Sequence, residues 1–349
     1  MHIVWMLTEE GYAAHAAGAG FTLASNRYRV ALPMIELVAR QHRVSLCGLG
    51  PGEASVEDAI ALGRGADVVV FAKNHAAPAA VQRVATELRR ARVPIVIDIC
   101  DDCFENDHPY AAHYRGLLAA ADGVTASCAA LADRVSPCTS APVTVIEDPF
   151  EGPRGEPRWA SKPRMNALWF GGVGNLPSLM KEVDELPRKV CGYALDMTVL
   201  TGPVPGIESA FKQYNARHRS RITLRHVPWS LSGNWTALAA CDLVLIPVAR
   251  DVRYFLAKGP NRIVEALWAG RMVFAHPIRS YEAFGAWAWV GDDLASGIAW
   301  ALAHPQLVID RIAAGQAYIA ARYSRGAIAD SWVAALADVR KRAGRTAVN

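Results

Sequence analysis

The apolar positions of the chain fall into short continuous runs that alternate with segments of helical periodicity. Three of these runs are DVVVFA at 67–72, PIVIDI at 94–99 and DLVLIP at 242–247. Short, fully apolar and partly β-branched runs are typical of strands buried on both faces, as in a parallel sheet covered by helices. Apolar residues at helical spacing between the runs, as in 27–40 and 79–92, predict the covering helices. The pattern therefore predicts an α/β protein.

The alternation is interrupted once and then restarts. Residues 151–164, EGPRGEPRWASKPR, contain three prolines, two glycines and mixed charge, which is typical of a linker. We therefore predict two doubly wound, Rossmann-like domains facing a central cleft, over 1–155 and 164–322. A final helical segment, 323–349, is expected to pack back on the first domain. Ligands of such sheets bind at the carboxyl ends of the strands.

Composition narrows the class of protein. With 349 residues, 52% hydrophobic and 20% charged, the chain is globular and long enough for two domains. A net charge of +4 from 37 basic and 33 acidic residues is too small to indicate a nucleic-acid partner. It permits an anionic ligand, and the basic tail at 340–345 permits peripheral contact with an anionic membrane.

The cysteines and the start of the chain bear on its location. Seven scattered cysteines indicate a reducing compartment. Cys100 and Cys103 form a CxxC without a second pair, so buried thiols are favoured over a zinc or redox site. No run of 18 apolar residues occurs, and the opening MHIVWML has no basic region. We therefore expect a cytoplasmic protein, either free or bound peripherally to the inner face of the membrane.

A candidate anion site follows the DLVLIP strand, in the stretch YFLAKGPNRIVEALWAGRMVFAH. Pro260 is well placed as the first residue of a helix, where its missing N–H costs nothing. The unpaired amides of that helix start attract an anion, and Lys258 stands just outside it. The sequence therefore predicts a phosphate-binding helix end.

The same helix carries polar side chains one turn further in. Asn261 and Glu265 share a face because they are four residues apart, and Arg262 lies on a neighbouring face. A carboxylate in this position can accept hydrogen bonds from the two hydroxyls of a ribose, as acidic residues do in other nucleotide sites. The alternative is a capped surface helix with an ordinary glutamate.

A glycine-rich turn follows the strand at 167–170. Gly171, Gly172 and Gly174, with Asn175 after them, allow a ligand to approach the backbone closely. The spacing is not GxGxxG, and a tight strand-to-helix turn is the alternative interpretation.

Acidic residues cluster where the PIVIDI strand ends. Asp98, Asp101 and Asp102 lie within five residues, and His108 follows. Crowded carboxylates repel one another, so one of them is a candidate general base, or positions a histidine. The alternatives are helix capping with loop hydrogen bonds, and a metal site.

Two arginines begin the first predicted helix. Arg27 and Arg29 follow a glycine–alanine stretch, Gly11–Gly20, that we predict to be a long loop and therefore functional or mobile. An arginine at a helix start opposes the helix dipole, which favours contact with an acceptor or a donor phosphate. A basic surface turn is the alternative.

These motifs resemble a known family. The stretch with Lys258, Asn261, Arg262, Glu265 and Gly270 is similar to KxxNRxxEAxxxGxxVV in one branch of the GT-B fold glycosyltransferases related to family 4, group 1. Four further segments resemble that family in the same order, so the resemblance covers most of the chain; they are 97–104, 123–135, 143–150 and 168–175.

The resemblance implies a function and roles for residues. It implies transfer of a sugar from a UDP-, GDP- or CMP-linked donor to a hydroxyl of a glycan or lipid-linked glycan in surface polysaccharide synthesis, with retention of anomeric configuration. Glu265 would bind the ribose, while Lys258 and the amides of Gly171–Gly174 would hold the diphosphate. No permanently bound cofactor and no metal ion are implied.

The sequence departs from the family in two places. Ala257 stands where the first acid of the Glu-x7-Glu pair is usual, and Pro177 and Ser178 lie where phosphate-binding basic residues are usual. Arg253 and Lys258 would then neutralise the phosphate, or the donor would carry a nucleoside monophosphate. The alternatives in function are a nucleotide-sugar epimerase on the same scaffold and a non-catalytic partner subunit of a glycosyltransferase.

Overall fold

The chain forms two compact units. The computed structural model describes residues 1–18, 20–75, 77–105, 107–189, 192–218 and 221–346. The first unit comprises Met1–Pro149, Ala257–Gly259 and Arg322–Asn349, and the second comprises Phe150–Leu256 and Pro260–Ala321. Each unit is described by itself below. The predicted domain limits of 1–155, 164–322 and 323–349 stay predictions.

The first unit is built on a parallel sheet with the strand order β2-β1-β3-β4-β5-β6. Its strands are β1 His2–Thr8, β2 Arg43–Leu49, β3 Val68–Ala72, β4 Ile95–Ile99, β5 Gly123–Ala126 and β6 Val143–Val145. The helices between them are α1 Glu9–Ala16, α2 Ala24–Asn26, α3 Leu32–Ala39, α4 Glu53–Arg64, α5 Pro78–Arg90, α6 Ala111–Leu118 and α7 Ala129–Val135. A π-helical turn, Arg27–Ala31, joins α2 to α3, and a 3₁₀ turn, Ser136–Cys138, follows α7.

Successive side chains of a strand point to opposite faces of the sheet. Both faces of this sheet are apolar, because helices cover both. In β1, Val4 and Met6 pack with α4 and α5, whereas Ile3, Trp5 and Leu7 pack on the opposite face with α3. This is why the strands read as continuous apolar runs.

The segment after β1 differs from the prediction. The stretch Gly11–Gly20 is not one long loop, because α1 occupies Glu9–Ala16. Thr8 caps this helix by accepting a hydrogen bond from the amide of Gly11, and Glu9 and Glu10 stand in its first turn, where they favour the helix dipole. The alanines at helical positions make the stretch a helix in spite of its glycines.

The second unit also contains a parallel sheet, in the order β12-β11-β10-β7-β8-β9. Its strands are β7 Arg164–Phe170, β8 Ala194–Thr201, β9 Ile222–Pro228, β10 Leu243–Ile246, β11 Met272–Ala275 and β12 Trp289–Val290. Its helices are α8 Leu176–Lys189, α9 Ile207–His218, α10 Leu231–Ala240, α11 Arg253–Leu256, α12 Asn261–Trp268, α13 Arg279–Glu282, α14 Leu294–Ala303 and α15 Pro305–Arg322. Two doubly wound α/β units were predicted, and this is confirmed.

The predicted linker is extended but does not run freely. Gly155 lies so close to the backbone of Ala269 that a Cβ on it would come within 2.2 Å of the carbonyl oxygen. The guanidinium of Arg158 donates to the carbonyls of Ala239 and Cys241, and Trp159 is buried. The segment is therefore packed along the second unit over these residues.

The last helix, α16 Arg325–Thr346, belongs to the first unit. It packs against α3, and Trp332 meets Trp5 edge to face with 5.5 Å between ring centroids. Among the described helices, none has both the length and the apolar character needed to cross a membrane.

Candidate functional site

The strand order of the second sheet places a topological switch point between β7 and β10. From β7 the chain proceeds to β8 and β9 on one side, and from β10 to β11 and β12 on the other. The loops that follow β7 and β10 therefore diverge, and a crevice opens at the carboxyl ends of these two strands. The glycine-rich turn and the start of α12 both lie at this edge.

The turn after β7 is short and regular. A 3₁₀ turn over Val173–Asn175 joins β7 to α8, and the amide of Asn175 donates to the carbonyl of Gly172 at 2.9 Å. Gly172 has an ordinary φ of −64°, and a Cβ on Gly174 would meet nothing within 4 Å. The backbone conformation therefore does not require these glycines, whereas the open space before Gly174 suits a ligand that approaches the main chain.

Arg262 lies beside this turn. A Cβ on Gly171 would be 3.5 Å from Nη1 of Arg262, and Nη2 donates to the hydroxyl of Tyr281 at 3.2 Å. Nη1 is buried and makes no hydrogen bond among the described residues. A buried guanidinium N–H without an acceptor is costly, and an anionic ligand at the turn would supply the acceptor.

The helix that carries Arg262 begins one residue later than predicted. Pro260 is the N-cap of α12 rather than its first residue, because its carbonyl accepts the first helical hydrogen bond, from Val264 at 3.0 Å. Asn261 is the first helical residue. The orphan amides of the helix start thus lie at the carboxyl edge of the sheet, as an anion site requires.

Glu265 is almost fully buried, with 2% of its surface exposed. Its Oε1 accepts a hydrogen bond from the amide of Glu151 at 2.9 Å. The carboxylate therefore holds the beginning of the extended segment 151–164 against α12. Its predicted role toward a ribose stays a prediction.

The two other predicted basic residues, Arg253 and Lys258, belong to different units. Arg253 is the first residue of α11 in the second unit. Lys258, with Ala257 and Gly259, belongs to the first unit, where Ala257 is part of the hydrophobic core and accepts a hydrogen bond from Cys128 Sγ at 3.3 Å. Ala257 is 2% exposed, so a glutamate at this position would place a carboxylate in the hydrophobic core.

The carboxyl edge of the first sheet holds a buried ion-pair network. The Arg29 guanidinium, 1% exposed, lies 2.6 Å from Asp98 and 3.0 Å from Asp148, and Thr125 donates to Asp98 at 2.6 Å. Burial lowers the pKa of Arg29, but the two carboxylates outweigh it, so the pKa is raised. Arg29 also stacks over Trp332 at 5.3 Å.

This network corrects two predictions about the arginines. Arg29 does not meet a ligand, because its charge is consumed by Asp98 and Asp148 inside the core. Arg27 is also buried and donates to the carbonyl of Thr22 at 2.7 Å. Asp98, predicted among the candidate catalytic acids, is thereby placed in a structural ion pair.

Asp101 lies in a second ionic cluster, with Lys73 and Lys258. Its Oδ1 is 2.6 Å from Nζ of Lys258, and its Oδ2 is 3.1 Å from Nζ of Lys73. Burial alone would raise the pKa of Asp101. The two ammonium groups together outweigh burial and lower the pKa to about 2. We call these three residues the Lys–Asp–Lys cluster.

The two remaining predicted catalytic residues have other partners. Asp102 is buried; its Oδ1 accepts from the amide of Phe104 at 3.3 Å, and its Oδ2 lies 3.9 Å from Nε of Arg134. His108 Nδ1 accepts from the amide of Tyr110 at 3.2 Å. Asp98, Asp101 and Asp102 thus face three different sets of partners, although they are close in sequence.

Histidines and tyrosines gather beside the Lys–Asp–Lys cluster. The His75 ring packs against Tyr110 with 4.2 Å between centroids and a tilt of 31°, and its Nδ1 lies 3.4 Å from the hydroxyl of Tyr114. Burial lowers the pKa of both His75 and His113. These rings form an aromatic wall at the edge of the first sheet.

The CxxC cysteines are thiols. Cys103 is buried and Cys100 half-buried, and burial raises the pKa of Cys103 to about 11. A raised thiol pKa disfavours the nucleophilic or metal-binding thiolate. Across the part of the chain that the structure describes, no group of three or more His, Cys, Asp or Glu side chains is arranged to hold a metal ion.

Some functional candidates escaped the sequence analysis. Thr201, the last residue of β8, donates to the carbonyl of Gly171 at 2.7 Å. His276, which follows β11, lies 3.2 Å from the buried Glu182 of α8. Both are polar residues that end a buried strand, a signal present in the sequence. Tyr281, the partner of Arg262, has no such signal, because only the fold brings it near.

A cavity of about 380 Å³ lies on one face of the second sheet, against α10. Its polar lining includes Asn166, Asp196, Thr198 and Thr223. Asn166, Asp196 and Thr223 stand in the first halves of β7, β8 and β9. The cavity is therefore separate from the crevice at the carboxyl ends of the strands.

The comparisons with known proteins agree with this architecture. Neither a protein-family model nor a curated protein sequence matches the chain. Among solved structures, the Anabaena protein Alr3699/HepE in complex with UDP and glucose is similar with a TM-score of 0.68 and 14% identity, covering 97% of this chain and 100% of that one. AviGT4, a glycosyltransferase involved in avilamycin A biosynthesis, is similar with a TM-score of 0.61 and 15% identity over 97% and 98% of the two chains.

A third neighbour has a longer chain. A mutant of the O-GlcNAc transferase of Thermobaculum terrenum is similar with a TM-score of 0.63 and 14% identity, over 99% of this chain and 68% of that one. At these identities the likeness concerns the fold, and the chain has the GT-B fold of glycosyltransferases. The branch related to family 4 stays a prediction.

Proposed function

We propose that the protein is a glycosyltransferase that binds a nucleotide-activated sugar with its second unit and transfers the sugar to a hydroxyl of a glycan or lipid-linked glycan. The observation that carries the proposal is the arrangement at the switch point of the second sheet. There the turn Gly171–Gly174, the start of α12 and the buried Nη1 of Arg262 converge at one edge. One neighbour of the same fold, Alr3699/HepE, was solved both with UDP and with UDP-glucose.

In this proposal the phosphates lie against the glycine turn. Main-chain amides of the turn and of the α12 start donate to phosphate oxygens, and Arg262 supplies the charge that Pro177 and Ser178 do not. Lys258 and Arg253 add positive charge that stabilises the leaving phosphate as negative charge builds on it. Asn175 and Asn261 contribute amide groups at the same edge.

The ribose is assigned to Glu265, whose carboxylate lies one turn inside α12. A glutamate that accepts hydrogen bonds from ribose hydroxyls discriminates a nucleotide from free phosphate. The base is proposed to be uracil, guanine or cytosine. Retention of configuration is proposed from the resemblance.

The acceptor is assigned to the first unit. Its sheet edge carries Asp101, Asp102 and His108, the candidates for handling the proton of the attacking hydroxyl. The aromatic wall that includes His75 and Tyr110 suits a sugar ring, because aromatic faces pack against the apolar faces of sugars.

The test is a thermal-shift screen against UDP, GDP, CMP, ADP and dTDP, with and without magnesium. A ligand at a hundred times its Kd stabilises by about 2.7 kcal/mol, which is readily detected. We expect one base to be selected, and Arg262→Met and Glu265→Gln to reduce the shift. Glu265→Gln keeps an oxygen for the amide of Glu151, so loss of binding reports on the charge.

Arg164→Met is the matched control for Arg262→Met. Arg164 stands at the opposite end of β7, in an exposed pair with Asp196. If no nucleotide stabilises the wild type, or if Arg262→Met and Arg164→Met behave alike, the donor site is wrongly assigned. Binding without transfer to any acceptor would favour a nucleotide-sugar epimerase or a partner subunit.

A further inference from the structure

Lys73 has a backbone conformation that a lysine rarely adopts. It follows directly after β3 and has a φ of 52°, in the left-handed region. For a residue with a Cβ this region costs on the order of 1 kcal/mol, and such strain persists where surrounding contacts enforce it, commonly at functional sites.

Contacts on both sides fix this turn. The side-chain amide of Asn74 donates to the carbonyl of Met6 at the end of β1, and the carbonyl of Asn74 accepts from Nε2 of His113. The amide of His75 in turn donates to the carbonyl of Lys73 at 3.2 Å. The conformation of Lys73 is therefore held by two neighbouring elements, β1 and α6, rather than by its own preference.

The result of the strained turn is the position of one ammonium group. Nζ of Lys73 reaches Oδ2 of Asp101, while Oδ1 of the same carboxylate holds Nζ of Lys258 at 2.6 Å. All three side chains are half-buried, at 22–30% exposure. A carboxylate bound on both oxygens cannot rotate away from either lysine, so Lys73 fixes the orientation in which Asp101 presents Lys258.

We propose that Lys73 is a positioning residue, which acts through Asp101 to hold Lys258 in place for a phosphate of the nucleotide. This inference rests on the proposed function, because it assumes that Lys258 binds the donor diphosphate.

The experiment compares the affinities of UDP and UMP by calorimetry for Lys73→Met, Asp101→Asn and Lys258→Met. If the screen selects another base, the diphosphate and monophosphate of that base replace UDP and UMP. If the donor carries a monophosphate, CMP and cytidine are compared instead. We expect Lys73→Met to weaken UDP about five- to tenfold while UMP changes by less than about twofold, because only the outer phosphate is affected. General damage to the fold would weaken both nucleotides alike.

A double-mutant cycle tests whether Lys73 acts through Lys258. In the Lys258→Met background, Lys73→Met is expected to add no further loss, since coupled residues are not additive. Lys73→Arg should retain most of the affinity, because a guanidinium also pairs with Asp101. Additive losses, or an unchanged ratio of UDP to UMP affinity in Lys73→Met, would overturn the proposal.

Two control variants separate the charge from the backbone. Lys162→Met removes another lysine that pairs with an aspartate, Asp242 at 2.7 Å, and should leave both affinities unchanged. Lys73→Gly and Arg92→Gly each relieve a left-handed residue, since Arg92 has a φ of 58°. Only Lys73→Gly should lose UDP affinity.

The outcomes separate the two hypotheses. If the wild type binds none of the nucleotides, the proposed function fails. If the wild type binds a nucleotide but the Lys73 variants bind it as the wild type does, this inference alone fails.

Discussion

The carboxyl edges of the two sheets have opposite electrostatic characters. At the edge of the first sheet, charged side chains neutralise one another, as Arg29 does with Asp98 and Asp148. At the edge of the second sheet lie a glycine turn, the start of α12 and the buried Nη1 of Arg262. The Arg29 network at the first edge is thus satisfied within the protein, whereas the second edge is built largely from backbone donors.

The difference shows how two sheets of the same type take different tasks. Backbone amides and a guanidinium cost little to present and attract phosphate. Paired charges fix geometry instead, and their removal is felt mainly as lost stability.

Removing Arg29 should damage the first unit most. Arg29→Met leaves Asp98 and Asp148 buried without their cation, which costs about 3–5 kcal/mol in a typical protein interior. Urea denaturation followed by near-UV circular dichroism would measure the loss. Arg40→Met is the control, because its pair with Asp330 is exposed and should contribute less than about 1 kcal/mol. Equal losses in the two variants would show that the network is not structural.

A glycine in the second unit is held by packing and by backbone conformation. Gly270 has a φ of 75°, and a Cβ there would come within 2.1 Å of the carbonyl oxygen of Glu156. Gly270→Ala should therefore cost about 2–4 kcal/mol, from overpacking and left-handed strain together. A thermal midpoint equal to that of the wild type would mean that the segment 151–164 is not packed as described.

Gly174 should behave in the reverse way. A Cβ at this position meets nothing within 4 Å, so Gly174→Ala should leave the thermal midpoint nearly unchanged. If the open space before the turn admits the phosphates, the added methyl group should weaken nucleotide affinity about three- to tenfold, or about 1 kcal/mol. Calorimetric titration of Gly174→Ala beside wild type measures this, and unchanged affinity would remove the turn from the site.

The histidines of the first unit should give a mild pH dependence. Burial lowers the pKa of His75 and His113 in the folded state, so the unfolded chain binds more protons as the pH falls below about 6.5. Stability should therefore rise with pH through the window between the lowered pKa values and 6.5. Thermal midpoints of wild type and of the double variant His75→Gln, His113→Gln, measured from pH 5 to 8, would test this. The double variant should show the flatter profile, and identical profiles would contradict the assignment.

Much of the fold could be predicted because both faces of each sheet are buried. Strands β3 and β4 lie within the predicted runs DVVVFA and PIVIDI. The helix α1 was missed because its glycine and alanines carry almost no apolar periodicity, and its cap at Thr8 was not considered. Patterning detects amphipathic helices, and α1 buries no residue completely.

The site was predictable in its positions and less so in its contacts. The sequence predicts Gly171 at a strand end and Arg262 in the first turn of a helix, but which atoms meet depends on the order of strands in the sheet. For Arg29 it predicts contact with a ligand or a place on the surface, because arginines are rarely buried, and its two acidic partners lie 69 and 119 residues away. Left-handed φ at Lys73 could not be foreseen either, since lysine has no preference for that region.

The return of the chain to the first unit has a consequence for biosynthesis. Trp5 and Ile3 are buried by Trp332 and its neighbours on α16, and Ala257 fills the other face of the same sheet. On the ribosome, the first 149 residues emerge early, yet their core closes only when residues near 340 have been made. At about 5–20 residues per second this delay lasts roughly 10–40 seconds, during which an apolar face of β1 is uncovered. The part synthesised first is thus the part completed last, and it is the part for which a chaperone in the cell would matter most.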